Sequence, residues 1–137
     1  MSEVLGLLFI LAVIASLFPW PTRALCSARE GTAIHLIEQL DQAVESYQID
    51  CGAYPPGDGS GTSALVSGLS RSGPRKQKYF EFPPDLLRGG DVINPVRYDT
   101  AILHYLCPGV HRPEKFDLWA EDCRGNPTGI NTWDRMH

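Results

Sequence analysis

Four cysteines, four histidines and a short acidic stretch near the C-terminus are the residues of this chain best suited to chemistry. Cys26, Cys51, Cys107 and Cys123 contain no C-x-x-C pair, and no histidine stands at a spacing that would complete a zinc site with them. In a domain exported to an oxidising space such cysteines favour disulfides, with three full connectivities open to four thiols. His35, His104, His111 and His137 are scattered, and the chain has no Gly-x-Ser-x-Gly, no phosphate-cradling loop and no metalloprotease helix. The expectation is a protein that is not an enzyme, with His35 an ordinary boundary residue of a helix and Trp119 and Trp133 core aromatics.

The elements that must position these residues begin with an uneven chain. At 137 residues there is room for one domain and one core. Hydrophobic content of 43% and charged content of 20% are ordinary for a globular protein and exclude a wholly disordered, collagen-like or polytopic membrane chain. Glu3 is the one ionisable side chain before Pro21, and all twelve Lys and Arg lie beyond it. A net charge of −4, with no basic run longer than Arg75-Lys76, excludes a phosphate-backbone footprint, so no nucleic-acid partner is expected.

Val4 to Phe18 is free of charge and spans roughly 23 Å as a helix, short of the ~30 Å hydrocarbon core unless Pro19, Trp20 and Pro21 or upstream residues extend it. A signal peptide would want a basic start and small residues before the cut, but Ser2-Glu3 and Arg23-Ala24-Leu25-Cys26 supply neither. A core helix apolar all round needs protein on every side, which one small domain does not provide. A retained membrane helix is the preferred reading, with Glu3 an acid at the edge of the span that needs a partner or sits among headgroups.

Beyond the Pro19/Pro21 interruption, Ala33, Leu36, Ile37, Leu40, Val44 and Tyr47 recur at steps of three and four, with Glu30, Glu38, Gln39, Asp41, Gln42 and Glu45 on the other face. This spacing predicts an amphipathic helix over 23–50, ended by Cys51-Gly52 and Pro55-Pro56 and continuous, with a bend, with the apolar segment. Gly57 to Gly90 is rich in Gly, Pro and Ser and is expected to be a long surface loop with at most one turn of helix. Ala101–Cys107 and Lys115–Ala120 read as two antiparallel strands about a Pro108-Gly109 turn, with a third short strand near Ile130–Trp133. The fold class is α+β: a long N-terminal helix, its first half in the membrane and its second half amphipathic, packed on a small antiparallel sheet. The segments are 1–22, 23–52, 53–100 and 101–137.

The order of these pieces resembles the type II secretion pseudopilins, most closely the major pseudopilin, and the wider type IV pilin-like family. Glu3-Val4-Leu5 opening a greasy run looks like the body of the pilin N-terminal helix. Tyr47-Gln48-Ile49-Asp50-Cys51-Gly52-Ala53-Tyr54-Pro55 is similar to the family's Y-x-x-D-x-G-x-Y-P at the helix end. Gly61 to Leu65 is similar to its G-x-x-A-L, Asn94-Pro95 to its D-P turn and Tyr105 to Gly109 to its Y-x-x-P-G. Phe116-Asp117-Leu118-Trp119 and Ile130-Asn131-Thr132-Trp133 are similar to its F-D-L and I-x-N-W, so the resemblance covers nearly the whole chain.

The resemblance implies an inner-membrane, single-pass subunit with a periplasmic domain. It would be processed and N-methylated by prepilin peptidase if an upstream leader exists. It would assemble into a filament with copies of itself, other pseudopilins and inner-membrane secretion components, in contact with membrane lipid. Glu3 would be the assembly residue, although it stands third where the family places its glutamate fifth and no basic leader precedes it. That departure implies either a start placed too far downstream or a chain that is not processed. The family's calcium loop is also thinned. Glu121, Asp122 and Asn126 remain, with Asp122 and Asn126 the candidate ligands, against the six to eight oxygens calcium takes. Cys26 and Cys51 lie about 37 Å apart on one straight helix and cannot pair within a subunit. Cys107 and Cys123 are the expected disulfide, tying the last loop to the first strand in place of the calcium clamp. The alternative is a secreted or lipid-anchored binding domain released by cleavage near residue 24, with the loop 57–90 as its binding surface.

Overall fold

The protein is described by a computed structural model covering residues 6, 10, 21–97, 101–126 and 130–134. Helix α1 runs Pro21–Cys51. Its stripe of Ala33, Leu36, Ile37, Leu40, Ala43 and Val44 is buried, while Glu38, Gln39 and Gln42 remain exposed, as 3.6-residue periodicity requires. The helix stops at Gly52, whose φ of 80° only glycine adopts freely and whose N–H donates to Gln48 O at 2.8 Å. Tyr47, predicted on the stripe, is half-buried against Tyr79, edge to face with centroids 5.3 Å apart.

The stripe is covered by a three-stranded antiparallel sheet of β1 (Gly57–Asp58), β4 (His104–Cys107) and β5 (Asp117–Trp119), in the order β1-β4-β5. Tyr105 pairs with Leu118, and both point toward α1, whereas Leu106 and Trp119 point to the other face. Tyr105 also ties the sheet to the helix exit, its hydroxyl donating to Pro55 O at 2.7 Å. That close approach needs glycine at 57. A Cβ there would run into the Tyr105 ring and come within 2.8 Å of its carbonyl oxygen.

Between helix and sheet lie α2 (Ser63–Leu69), a 3-10 turn at Pro84–Leu86, and a small hairpin of β2 (Leu87–Arg88) and β3 (Asp91–Val92). Asp91 does the work of an N-cap for α2 from a distance. Its Oδ1 accepts from Thr62 N at 2.8 Å and Ser63 N at 2.9 Å, and Thr62 Oγ1 accepts from Val92 N.

Three expectations are corrected. The 57–90 segment is not merely a surface loop, because α2 places Leu65 and Leu69, both fully buried, in the common core. The third strand of the sheet is β1, and the expected segment near 130–133 pairs with β5 only briefly, Ala120 N donating to Ile130 O at 2.9 Å and Thr132 N to Leu118 O at 3.1 Å. Asn131 makes one bridge to Trp119, but its side-chain oxygen accepts from Trp133 N and Asp134 N, which turns the chain instead of extending it. The first strand is also shorter than Ala101–Cys107, since Leu103 N donates to Val92 O and Ile102 bridges Ile93. Among the described residues no helix is long and apolar enough to cross a membrane. The segment 4–18 lies outside the described residues apart from positions 6 and 10.

Among the described residues two ion pairs link α1 to the turn between β4 and β5. Arg112 stands 3.6 Å from Asp41 and lies over the Phe116 ring, 4.9 Å from its centroid, while Lys115 reaches Glu45 at 3.2 Å. Burial pushes the Asp41 carboxyl above its ordinary 3.8, the attraction of Arg112 only partly offsetting it. Folded Asp41 therefore keeps its proton to higher pH than the unfolded chain does. Its contribution to stability is fully present below pH 3.8 and is lost as pH rises through the raised value. Urea unfolding from about pH 3.5 to pH 6.5 should show Asp41→Asn gaining on the wild type as pH rises; parallel pH profiles would disprove the raised value.

Candidate functional site

The turn from Pro108 to Phe116 is folded around a buried carboxylate. Asp117 is 1% exposed. Its Oδ2 accepts from Val110 N at 2.8 Å, His111 N at 2.9 Å and His111 Nδ1 at 3.1 Å, and its Oδ1 accepts from Arg112 N at 3.2 Å. Converging backbone N–H groups of this kind compensate a buried negative charge. They also demand glycine at 109, where a Cβ would lie 2.6 Å from Asp117 Oδ1 and 2.8 Å from Arg112 O.

His111, held by Asp117, stacks on Trp133 with centroids 3.9 Å apart and planes within 6°. Trp133 meets Trp119 edge to face at 5.8 Å, and Trp119 stacks on His104 at 5.2 Å. Four rings thus cross the outer face of the sheet. Three of them, His111, Trp119 and Trp133, border with Leu106 and Val110 a groove of about 400 Å³, lined also by Asp117, Asn131 and Asp134. Among the described residues the lining offers the titratable groups Asp117, Asp134 and His111 and no Ser, Thr, Cys or Lys. Flat apolar faces beside carboxylates suit recognition of a ring or a cation. Trp119 and Trp133 are therefore half-exposed walls of a groove, not the core aromatics expected.

The expected Cys107–Cys123 disulfide is not formed. Cys123 is bonded to Cys26 of α1 across a Cα separation of 6.3 Å, leaving Cys51 exposed and Cys107 half-buried as thiols. Cys26 and Cys51 stand at opposite ends of α1 and do not pair. What sequence spacing lacks is the path after β5. Asn94, fully buried, donates to Glu121 O at 2.9 Å and draws that loop back toward the base of α1. Cys107 ends β4 instead, with its sulfur 3.7 Å from Lys115 O, and burial raises its thiol pKa.

In the described part of the same loop the calcium candidates are engaged in a turn. Asp122 Oδ1 accepts from Arg124 N and Asn126 N, so it closes a turn. Asp122 N donates to Asn126 O at 2.7 Å. Glu121 is directed to Arg97 and His104, each 3.8 Å away. These donors do not converge on one point, as a six- to eight-oxygen cage must. Among the described residues, Cys26, Glu30 and Cys123 are grouped closely enough for a metal, but both sulfurs are consumed by the disulfide. Glu3 and His137 lie outside the described residues. His35 is an exposed helix-surface residue beside Gln39 and Glu38.

The residues missed from sequence are Asp117, His111 and Cys26. Asp117 carries a faint signal, an acid at an alternating strand position between Phe116 and Leu118, but its partners are backbone groups that no side-chain pattern encodes. No protein-family model, curated protein or solved structure matches the chain.

Peptide mapping without reduction should recover one linked pair, Cys26 with Cys123; a Cys107–Cys123 peptide would refute that connectivity. Cys26→Ser should lower stability by about 2–4 kcal/mol in urea unfolding, and exposed Cys51→Ser should change it by less than about 0.5 kcal/mol. Asp117→Asn sets an NH2 group against backbone donors and should cost about 1–3 kcal/mol while altering tryptophan emission through His111 and Trp133. Unchanged emission and stability would mean that Asp117 does not organise the groove.

Proposed function

We propose that this chain is a structural subunit of a periplasmic pseudopilus in a type II secretion system, held in the inner membrane by its apolar segment. The observation that carries the reading is the division of labour along α1. From Ala33 to Val44 the helix is committed to its own sheet. Ahead of that stretch Leu25, at 51%, and Ser27, Ala28 and Arg29 are exposed, with Cys26 tied to Cys123, and the helix leads back in sequence toward the apolar run 4–18. A helix built this way supports a role as both anchor and assembly element.

Support also comes from what the family-like motif does at the helix end. Gly52 breaks the helix, Tyr54 donates to Glu45 at 3.1 Å and packs edge-on against Phe116, and Pro55 accepts from Tyr105. These contacts set the angle between helix and sheet that a repeating filament would need to hold constant.

Assembly would proceed by heterologous contacts that do not close, with the apolar helices gathered at the centre. Glu3 would pair with the N-terminal amine of a neighbouring copy, so that neither charge is left alone in an apolar environment. Other pseudopilins, inner-membrane secretion components and prepilin peptidase are the partners this reading entails.

Intact-mass and N-terminal peptide analysis of protein from host membranes tests it first. Retention of the apolar segment with an N-methylated terminus is expected, and a mature terminus near Cys26 would replace the reading with a released binding domain. Glu3→Ala should remain in the membrane yet be lost from sheared filaments; its normal incorporation would remove Glu3 from assembly.

A further inference from the structure

The densest positive charge of the chain lies on a tight hairpin between residues 71 and 78. Arg71, Arg75, Lys76 and Lys78 are four of the twelve bases, with no acid among them, and eight bases face sixteen acids elsewhere. The hairpin has a definite shape. Ser72 bridges Lys78, Gly73 N donates to Gln77 O at 3.0 Å, and Lys76 N donates to Gly73 O at 2.9 Å. Lys76 itself adopts a φ of 60°, a conformation that side chains other than glycine resist. All four bases are exposed, and among the described residues none takes part in a salt bridge. The hairpin leans on the end of α1 through Tyr79, whose hydroxyl donates to Asp50 at 3.0 Å.

The complementary chemistry lies on the sheet face turned away from α1. The groove of Trp119, Trp133 and Val110, the last 74% exposed, carries the exposed carboxylate of Asp134 and, among the described residues, no Lys or Arg, while Asp117 beneath it is taken up by its own turn. Tryptophan faces beside carboxylates attract ammonium and guanidinium groups.

We propose that the basic hairpin of one copy docks into the aromatic and acidic groove of a second copy, with Arg75 or Lys76 set against the tryptophans. Hairpin and groove are different surfaces, so the contact is heterologous and passes from copy to copy without closing. The inference rests on the assembly reading above and names a contact within it.

The test uses the full chain in detergent micelles, with self-association followed by sedimentation velocity. The double variant Arg75→Glu, Lys76→Glu should weaken association about tenfold, the size of a few exposed ion-pair and cation–π contacts. Asp134→Lys should do the same from the other side, and mixing the two variants should restore the heterologous contact between them. Raising salt from about 50 to about 500 mM should weaken wild-type association. Association indifferent to both reversals, or a mixture that fails to recover, would overturn the proposal. So would a hairpin variant that loses binding to phosphatidylglycerol vesicles while self-associating normally, which would assign the hairpin to lipid. A chain retained in membranes whose association ignores the reversals would sink this contact alone. A chain matured near Cys26 that still shows the charge dependence would sink the pseudopilus reading and leave the contact standing.

Discussion

An apolar stripe twelve residues long on a lone helix has to be covered, and the rest of this domain is arranged by that requirement. Ala33, Leu36, Ile37, Leu40, Ala43 and Val44 need a lid, and a chain of this size can supply only a narrow one. The three strands together hold nine residues, so the sheet alone does not suffice. Leu65 and Leu69 of α2, Val92 of β3 and Phe116 ahead of β5 complete the cover. The segment with the most loop-like composition is thereby drawn into the core.

A small core leaves little margin for polar groups, and the chain treats its buried charges unequally. Asp117 is surrounded by backbone donors from a turn that glycine at 109 makes tight enough. Asp41 has a single guanidinium at 3.6 Å, and its burial outweighs that attraction. The difference follows from geometry. Four donors placed by a folded loop compensate a charge that one long, flexible side chain compensates only in part. The well-compensated carboxylate then serves a second purpose, fixing the ring of His111 and through it the wall of the aromatic groove.

The disulfide supplies what the short strands lack. It fastens the loop after β5 to a helix position 97 residues earlier, so the last part of the chain cannot separate from α1 without opening the whole domain. In the chain-entropy picture a closure of that length restricts the unfolded state more than a short loop would. Asn94 and Glu121 guide that loop home with a hydrogen bond and ion pairs.

The amphipathic helix was legible from residue spacing alone, because burial on a helix depends on a period of 3.6 and α1 keeps that period across its whole stripe. Its end was legible too, since Gly52 and the Pro pair act through their own backbone restrictions. So was the α+β class, from a strand-like pattern about Pro108-Gly109 following a helix. The bond between Cys26 and Cys123, the role of β1 as the third strand, the N-cap supplied by Asp91 and the burial of Asp117 were decided by tertiary structure. Each joins groups that are distant in sequence or belong to the backbone, and side-chain periodicity carries information only about neighbours on one element, not about where a later loop returns.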